Sequence, residues 1–151
     1  MMNKLLLRLI GLIFMFFICF SCNVQKDNDD YLHLSKLDLL IDSIPNQVSD
    51  SLKAMSVNDF SRENRAYYNL LKTISDDKTY FNFTNDSLIN NVVDYYQTQD
   101  PKNKNYIRSL IYQGVVRTRM GVYDSTVFEP LKEANLIFKQ QINLDPSTWN
   151  Y

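Results

Sequence analysis

The chain has 151 residues, a single-domain length, and its 16 lysines and arginines nearly balance 17 aspartates and glutamates, for a formal charge of −1. Near-neutrality without a basic cluster excludes a nucleic-acid binder, which needs a concentrated positive surface. A single histidine, His33, and two cysteines, Cys19 and Cys22, leave a Ser/His/Asp triad and a Cys/His metal site without material.

The N-terminus begins MMNKLLLRLIGLIFMFFICFSC. Lys4 and Arg8 precede an apolar stretch from Leu9 to Phe20, a run in the roughly 7–15-residue range of a secretory h-region. A membrane-crossing helix wants about 20 apolar residues, so export followed by cleavage is expected. Ser21 and Cys22 at its end resemble a bacterial lipobox, with Cys19 standing where that signal prefers Leu, Val or Ile. The resemblance implies lipidation of Cys22 and removal of residues 1–21 as a signal peptide. Acyl chains at about 0.8 kcal/mol per buried methylene would then hold the chain on a membrane. Residues 22–30 are polar and are expected to form a flexible tether. Gln25-Lys26-Asp27 with Asp29-Asp30 resembles the lipoprotein export signal of Bacteroidota, which implies an outer-membrane lipoprotein at the cell surface; the inner-membrane periplasmic face is the alternative.

From residue 31 to 151 the pattern is helical. Two glycines and four prolines in this stretch are too few turn-formers for an all-β domain. Leu34, Leu37, Leu40, Ile41 and Ile44 fall at helical spacing and stop at Pro45. A short helix over Gln47–Met55 points Val48 and Leu52 inward. Ser61 to about Tyr80 carries Tyr67, Leu70, Leu71 and Ile74, and Tyr80, Phe81 and Phe83 close the turn. Asn85 or Asp86 caps a helix to Gln97 bearing Leu88, Ile89, Val92, Val93 and Tyr96. Asp100-Pro101 starts another, with Ile107, Leu110, Ile111, Gly114 and Val115 inward and Gly121 as its C-cap. The last runs from about Val127 to Ile142 with Leu131, Ala134 and Phe138 inward, and tolerates Pro130 only in its first turn. Six helices with short breaks make three antiparallel hairpins: an all-α stack.

The hairpin from Ser109 to Phe138 resembles a tetratricopeptide repeat through Leu110, Gly114, Gly121, Tyr123 and Ala134. Arg117 stands in place of the usual tyrosine, Thr126 in place of the usual alanine, and Ala134 is one residue late, departures that predict a looser unit. The segments RAYYNLLKT, YFNFTNDSLINNVVDYY and YIRSLIYQGVVRTRMG resemble the start of Bacteroidota tetratricopeptide-repeat lipoproteins. That resemblance implies a TPR-like solenoid and a protein-interaction role without catalysis or cofactor. It also leaves two other readings open. One is a truncated extracytoplasmic sensor portion of a transmembrane regulator; the other is an accessory lipoprotein for nutrient or glycan capture.

Two sets of residues are candidates for contact with other molecules. Aromatics offer large rigid area with a polar tip. In the pairs Tyr67-Tyr68 and Tyr95-Tyr96 one member must leave the core stripe, so Tyr68 and Tyr95 are expected on a concave partner-binding face. Four Asp-Ser segments resemble the O-glycosylation pattern of exported Bacteroidota proteins, and Ser51 and Ser125 are the expected acceptors; aspartate and serine also cap helices.

Overall fold

The computed structural model describes residues 25–100 and 102–144. The signal peptide, Cys22 and the proposed cleavage site lie outside them. Among the described residues there are six helices and no strand: α1 (25–40), α2 (Pro45–Ala54), α3 (Arg62–Lys78), α4 (Ser87–Gln99), α5 (Lys104–Arg119) and α6 (Ser125–Leu144). They pack as three successive hairpins, the TPR-like all-α arrangement expected.

Residues 25–30 correct the tether. They are the first described turns of α1 and are tied down by Asn64, whose Nδ2 donates to the Asp27 carbonyl at 2.8 Å and to its carboxylate at 2.6 Å. Asn64 is 1% exposed, and this contact satisfies its side-chain amide. A polar stretch reads as a leash only when no buried partner waits for it.

The stripes seat the helices. Leu34, Leu37 and Ile41 are buried, whereas Leu40, turned about a third of the way around α1, is exposed. Pro45 opens α2 at its first position, where its missing N–H costs no bond. Val48 and Leu52 point inward from α2; Tyr67, Leu70, Leu71 and Ile74 do so from α3; and Ile89, Val92, Val93 and Tyr96 from α4. These join Leu110, Val116 and Ala134 in one continuous core. On α5 it is Val116 rather than Val115 that reaches full burial.

Two helix ends share one geometry. At the end of α3 the N–H of Phe81 donates to the Asp76 carbonyl at 2.8 Å and that of Tyr80 to Asp77 at 3.2 Å. At the end of α5, Val122 donates to Arg117 and Gly121 to Thr118, both at 3.0 Å. Both are Schellman motifs, which place a left-handed residue just past the helix. Gly121 takes that position at φ 81° without strain, but Tyr80 takes it at φ 59° against its own Cβ.

Pro130 lies inside α6 rather than in its first turn, because α6 begins at Ser125. A proline there cannot donate to the carbonyl four residues back, that of Thr126. Arg117 supplies the bond instead: its Nη1 donates to the Thr126 carbonyl at 2.8 Å while its Nε donates to Asp86 at 2.7 Å. Two of the positions that depart from the repeat pattern, Arg117 and Thr126, are thus joined to each other. Nor is the hairpin looser at its crossing. A Cβ on Gly114 would stand 2.9 Å from Leu131 Cγ and 3.1 Å from the Val127 carbonyl, so only glycine lets α5 and α6 approach this closely.

Candidate functional site

A cavity of about 690 Å³ lies between α1, α5 and α6. That volume is in the range of ligand-binding clefts. Its apolar wall comes from Ile107 and Ile111 on α5 and from Leu131, Ala134 and Phe138 on α6; Leu39 of α1 overhangs it. Three of these are open to solvent: Leu39 at 83%, Ile111 at 39% and Phe138 at 36%. Ala134 keeps the floor low, since a larger side chain there would fill the space between α5 and α6.

One side of the cavity is set by a charged cluster. Arg108 makes a bidentate pair with Asp38, Nη2 to Oδ1 at 2.7 Å and Nη1 to Oδ2 at 2.8 Å. The Tyr67 hydroxyl donates to the same carboxylate at 2.7 Å. One aspartate therefore joins α1, α3 and α5, with residues 70 apart in sequence. Burial alone would raise the Asp38 pKa, but the hydrogen bonds and charge of Arg108 outweigh it and hold the carboxyl below its ordinary value. Burial and the adjacent carboxylate push the Tyr67 phenol well above the ordinary tyrosine range, so it stays a donor. Farther along, Asp42 pairs with Lys78 at 2.8 Å. Lys104, exposed at the start of α5, lines the cavity; among the described residues no carboxylate lies within salt-bridge distance of it, and its charge adds to the lowering of the Asp38 pKa.

A second cavity of about 430 Å³ lies between α4, α5 and α6 and contains the Tyr106–Glu133 hydrogen bond of 2.6 Å. A third, about 190 Å³, sits under the Phe81–Phe83 edge-to-face pair, with the Lys72 ammonium 5.7 Å from the Phe81 ring. Among the described residues no group of three His, Cys, Asp or Glu could hold a metal ion, and no helix is long and apolar enough to cross a membrane.

Tyr68 and Tyr95 do not meet in any of these cavities. Tyr68 is half-buried, donates to the Leu52 carbonyl at 3.2 Å and stands edge-on to Phe60 at 5.9 Å, fastening α3 to α2. Tyr95 is half-buried edge-on to Tyr96 at 5.1 Å. The expectation of two exposed tyrosines on one concave face is corrected accordingly: leaving the main stripe put each against a second helix or ring instead of water. The strongly exposed aromatics are at the turns, Tyr80 at 85% and Tyr123 at 81%.

Of the two serines, Ser125 is exposed at the first position of α6, beside Asp124, whose carboxylate caps the helix by accepting from the Thr126 N–H at 2.9 Å. Ser51 is half-buried in the interior of α2, away from a turn.

The cavity residues were missed because Ile111 and Phe138 read as core. One signal was available in α5: its apolar positions, 107, 110, 111, 114, 115 and 116, spread over more of the helix than one packing interface uses. No family model matches this chain, and neither does any curated protein or solved structure.

Proposed function

We propose that the protein is a non-catalytic interaction scaffold, held on a membrane of the cell envelope by lipid at Cys22, that receives a protein partner in the groove between α1, α5 and α6. The observation that carries the binding half is the groove itself: an apolar wall left open to solvent beside an internally neutralised ion-pair cluster. Open apolar surface beside fixed polar groups is the composition of a recognition site. Asp38, Arg108 and Tyr67 satisfy one another, so none is poised as a general base or nucleophile; they hold the groove's shape. The membrane half rests on the signal-like N-terminus and the lipobox resemblance. No cofactor enters this reading.

A photo-cross-linking amino acid placed at Ile111 in the membrane-resident full chain tests the groove, with the same group at exposed Leu32 on α1 as the control. A discrete protein adduct from position 111 and none from position 32 is expected. Adducts of the same kind and yield from both positions, or none from 111, overturn the scaffold reading. Intact mass of wild type and Cys22→Ala tests the anchor: acyl mass on a chain starting at residue 22, lost in the variant, is expected.

A further inference from the structure

We infer that the docked start of α1 seats the helical body directly on the lipid surface, by the end where α1 enters the fold, with the hairpin turns directed away from the bilayer. The inference rests on the reading of Cys22 as the lipidated residue and names the surface of the fold that faces the headgroups.

Chain length sets the distance. Three peptide steps separate Cys22 from Gln25, the first described residue of α1, and in any conformation they span at most about 11 Å. A free tether running to residue 31 would reach about 30 Å. Residues 25–30 forfeit that reach because the folded body holds them. The buried Asn64 amide donates to both the carbonyl and the carboxylate of Asp27. Lys26 Nζ meets Asp59 Oδ2 at 2.9 Å, and the Tyr31 ring lies 5.4 Å from that of Tyr67. Releasing the segment would strip the side chain of Asn64, which is 1% exposed, of its acceptors.

The same contacts identify the near end. Asn64 stands in the first turn of α3 and Asp59 in the α2–α3 loop, which Arg65 fastens by donating to the Val57 and Asn58 carbonyls at 2.8 and 3.2 Å. The hairpin turns lie at the other end. Asp42, between α1 and α2, meets Lys78 at the close of α3, and Asp77 meets Arg119 at the close of α5. Because α1 runs over 25–40, about 24 Å of helix separates the two ends. Tyr80, Phe81 and Tyr123 are exposed at the turn end. Charge does not draw that end down: Asp42, Asp77 and Asp86 each pair with a base there, and the Asp124 carboxylate adds negative charge, so anionic headgroups find no positive patch. The exposed aromatics are therefore presented to water rather than inserted at the interface.

The test uses the full acylated chain in phosphatidylcholine vesicles that contain a lipid spin-labelled at its headgroup, a short-range fluorescence quencher. A fluorophore is attached to a cysteine introduced as Asn58→Cys at the near end or as Tyr123→Cys at the turn end; both positions are exposed. The probe at 58 is expected to lose most of its emission and the probe at 123 little. A flexible glycine–serine spacer of about six residues inserted after Val24 should restore emission at 58 without touching the fold. Asn64→Ala combined with Lys26→Ala should do the same by releasing residues 25–30, with circular dichroism verifying the remaining helices. Equal quenching at the two positions, or stronger quenching at 123, overturns the inference and would place the turn aromatics at the interface. Quenching at 58 that neither the spacer nor the release variant reduces overturns it as well. Intact mass separates the two failures. Acyl mass with equal quenching overturns the seat alone, whereas a chain without acyl mass overturns the anchor reading beneath it.

Discussion

Hairpins α1/α2 and α5/α6 present the same kind of apolar seat, and among the described residues a following helix lies only on the first. On α3, which reaches the first through Tyr67 and Ser75, Leu70, Leu71 and Ile74 are at most 1% exposed, whereas on the second Ile111 remains 39% exposed. Helical stripes of similar composition thus end in opposite environments. An apolar stripe says which side chains would gain from cover; it does not say whether the chain provides that cover.

The comparison is broken most severely by removing a side chain from the covered seat. Leu70→Ala should cost about 2–5 kcal/mol, the lost transfer energy plus the cavity left behind. Ile111→Ala on the open seat should cost less than about 1 kcal/mol, because much of that side chain is already in water. Urea unfolding of the extracted protein measures both. Similar losses would mean that the two seats are equally buried in solution.

A middle effect tests the cluster that joins the seats. Asp38 is more acidic in the folded chain than its ordinary value of 3.8, so its contribution to stability is fully present above about pH 4. That contribution is lost as pH falls through the depressed folded value. Asp38→Asn should cost about 1–3 kcal/mol at neutral pH by leaving Arg108 part-buried without its charge partner. Thermal melts should show wild type losing its advantage over the variant on acidification below about pH 4. An advantage independent of pH would place the loss in packing rather than in the ion pair.

The smallest effects sharpen a second contrast, that of the two Schellman ends. Tyr80→Gly should raise stability by up to about 1 kcal/mol by relieving the left-handed strain, while Gly121→Ala should lower it by a similar amount. Chemical unfolding of the two variants side by side reads the opposite signs. Destabilisation by Tyr80→Gly would show that the exposed ring contributes more than its backbone strain costs.

Helix positions, the hairpin order and most of the core were legible because burial on a helix repeats every three or four residues. Leu34, Leu37 and Ile41, or Ile89, Val92, Val93 and Tyr96, announce their face without knowledge of neighbours. The site was less legible. Tyr68 and Tyr95 fall outside their core stripes, but a side chain leaving one stripe can land on a second neighbour, and both do. The polar run at 25–30 could not announce that Asn64, far along the chain, would hold it. Arg117 looked like a departure from a repeat because its role depends on Pro130, thirteen residues later, freeing a carbonyl in the facing helix.

What the sequence by itself determined is local. Periodicity set the helical stripes, Gly121 marked one helix end, and the scarcity of glycine and proline excluded a β fold. The N-terminal composition likewise carries the expectation of export and lipidation without reference to any fold. Only the tertiary structure decided which stripes of the described residues bury one another, which charges cancel across 70 residues, and that Lys104 stands beside the groove. The physical reason is that helical periodicity is a property of one chain segment. Burial and charge pairing are properties of two surfaces meeting, and the second surface lies elsewhere in the chain.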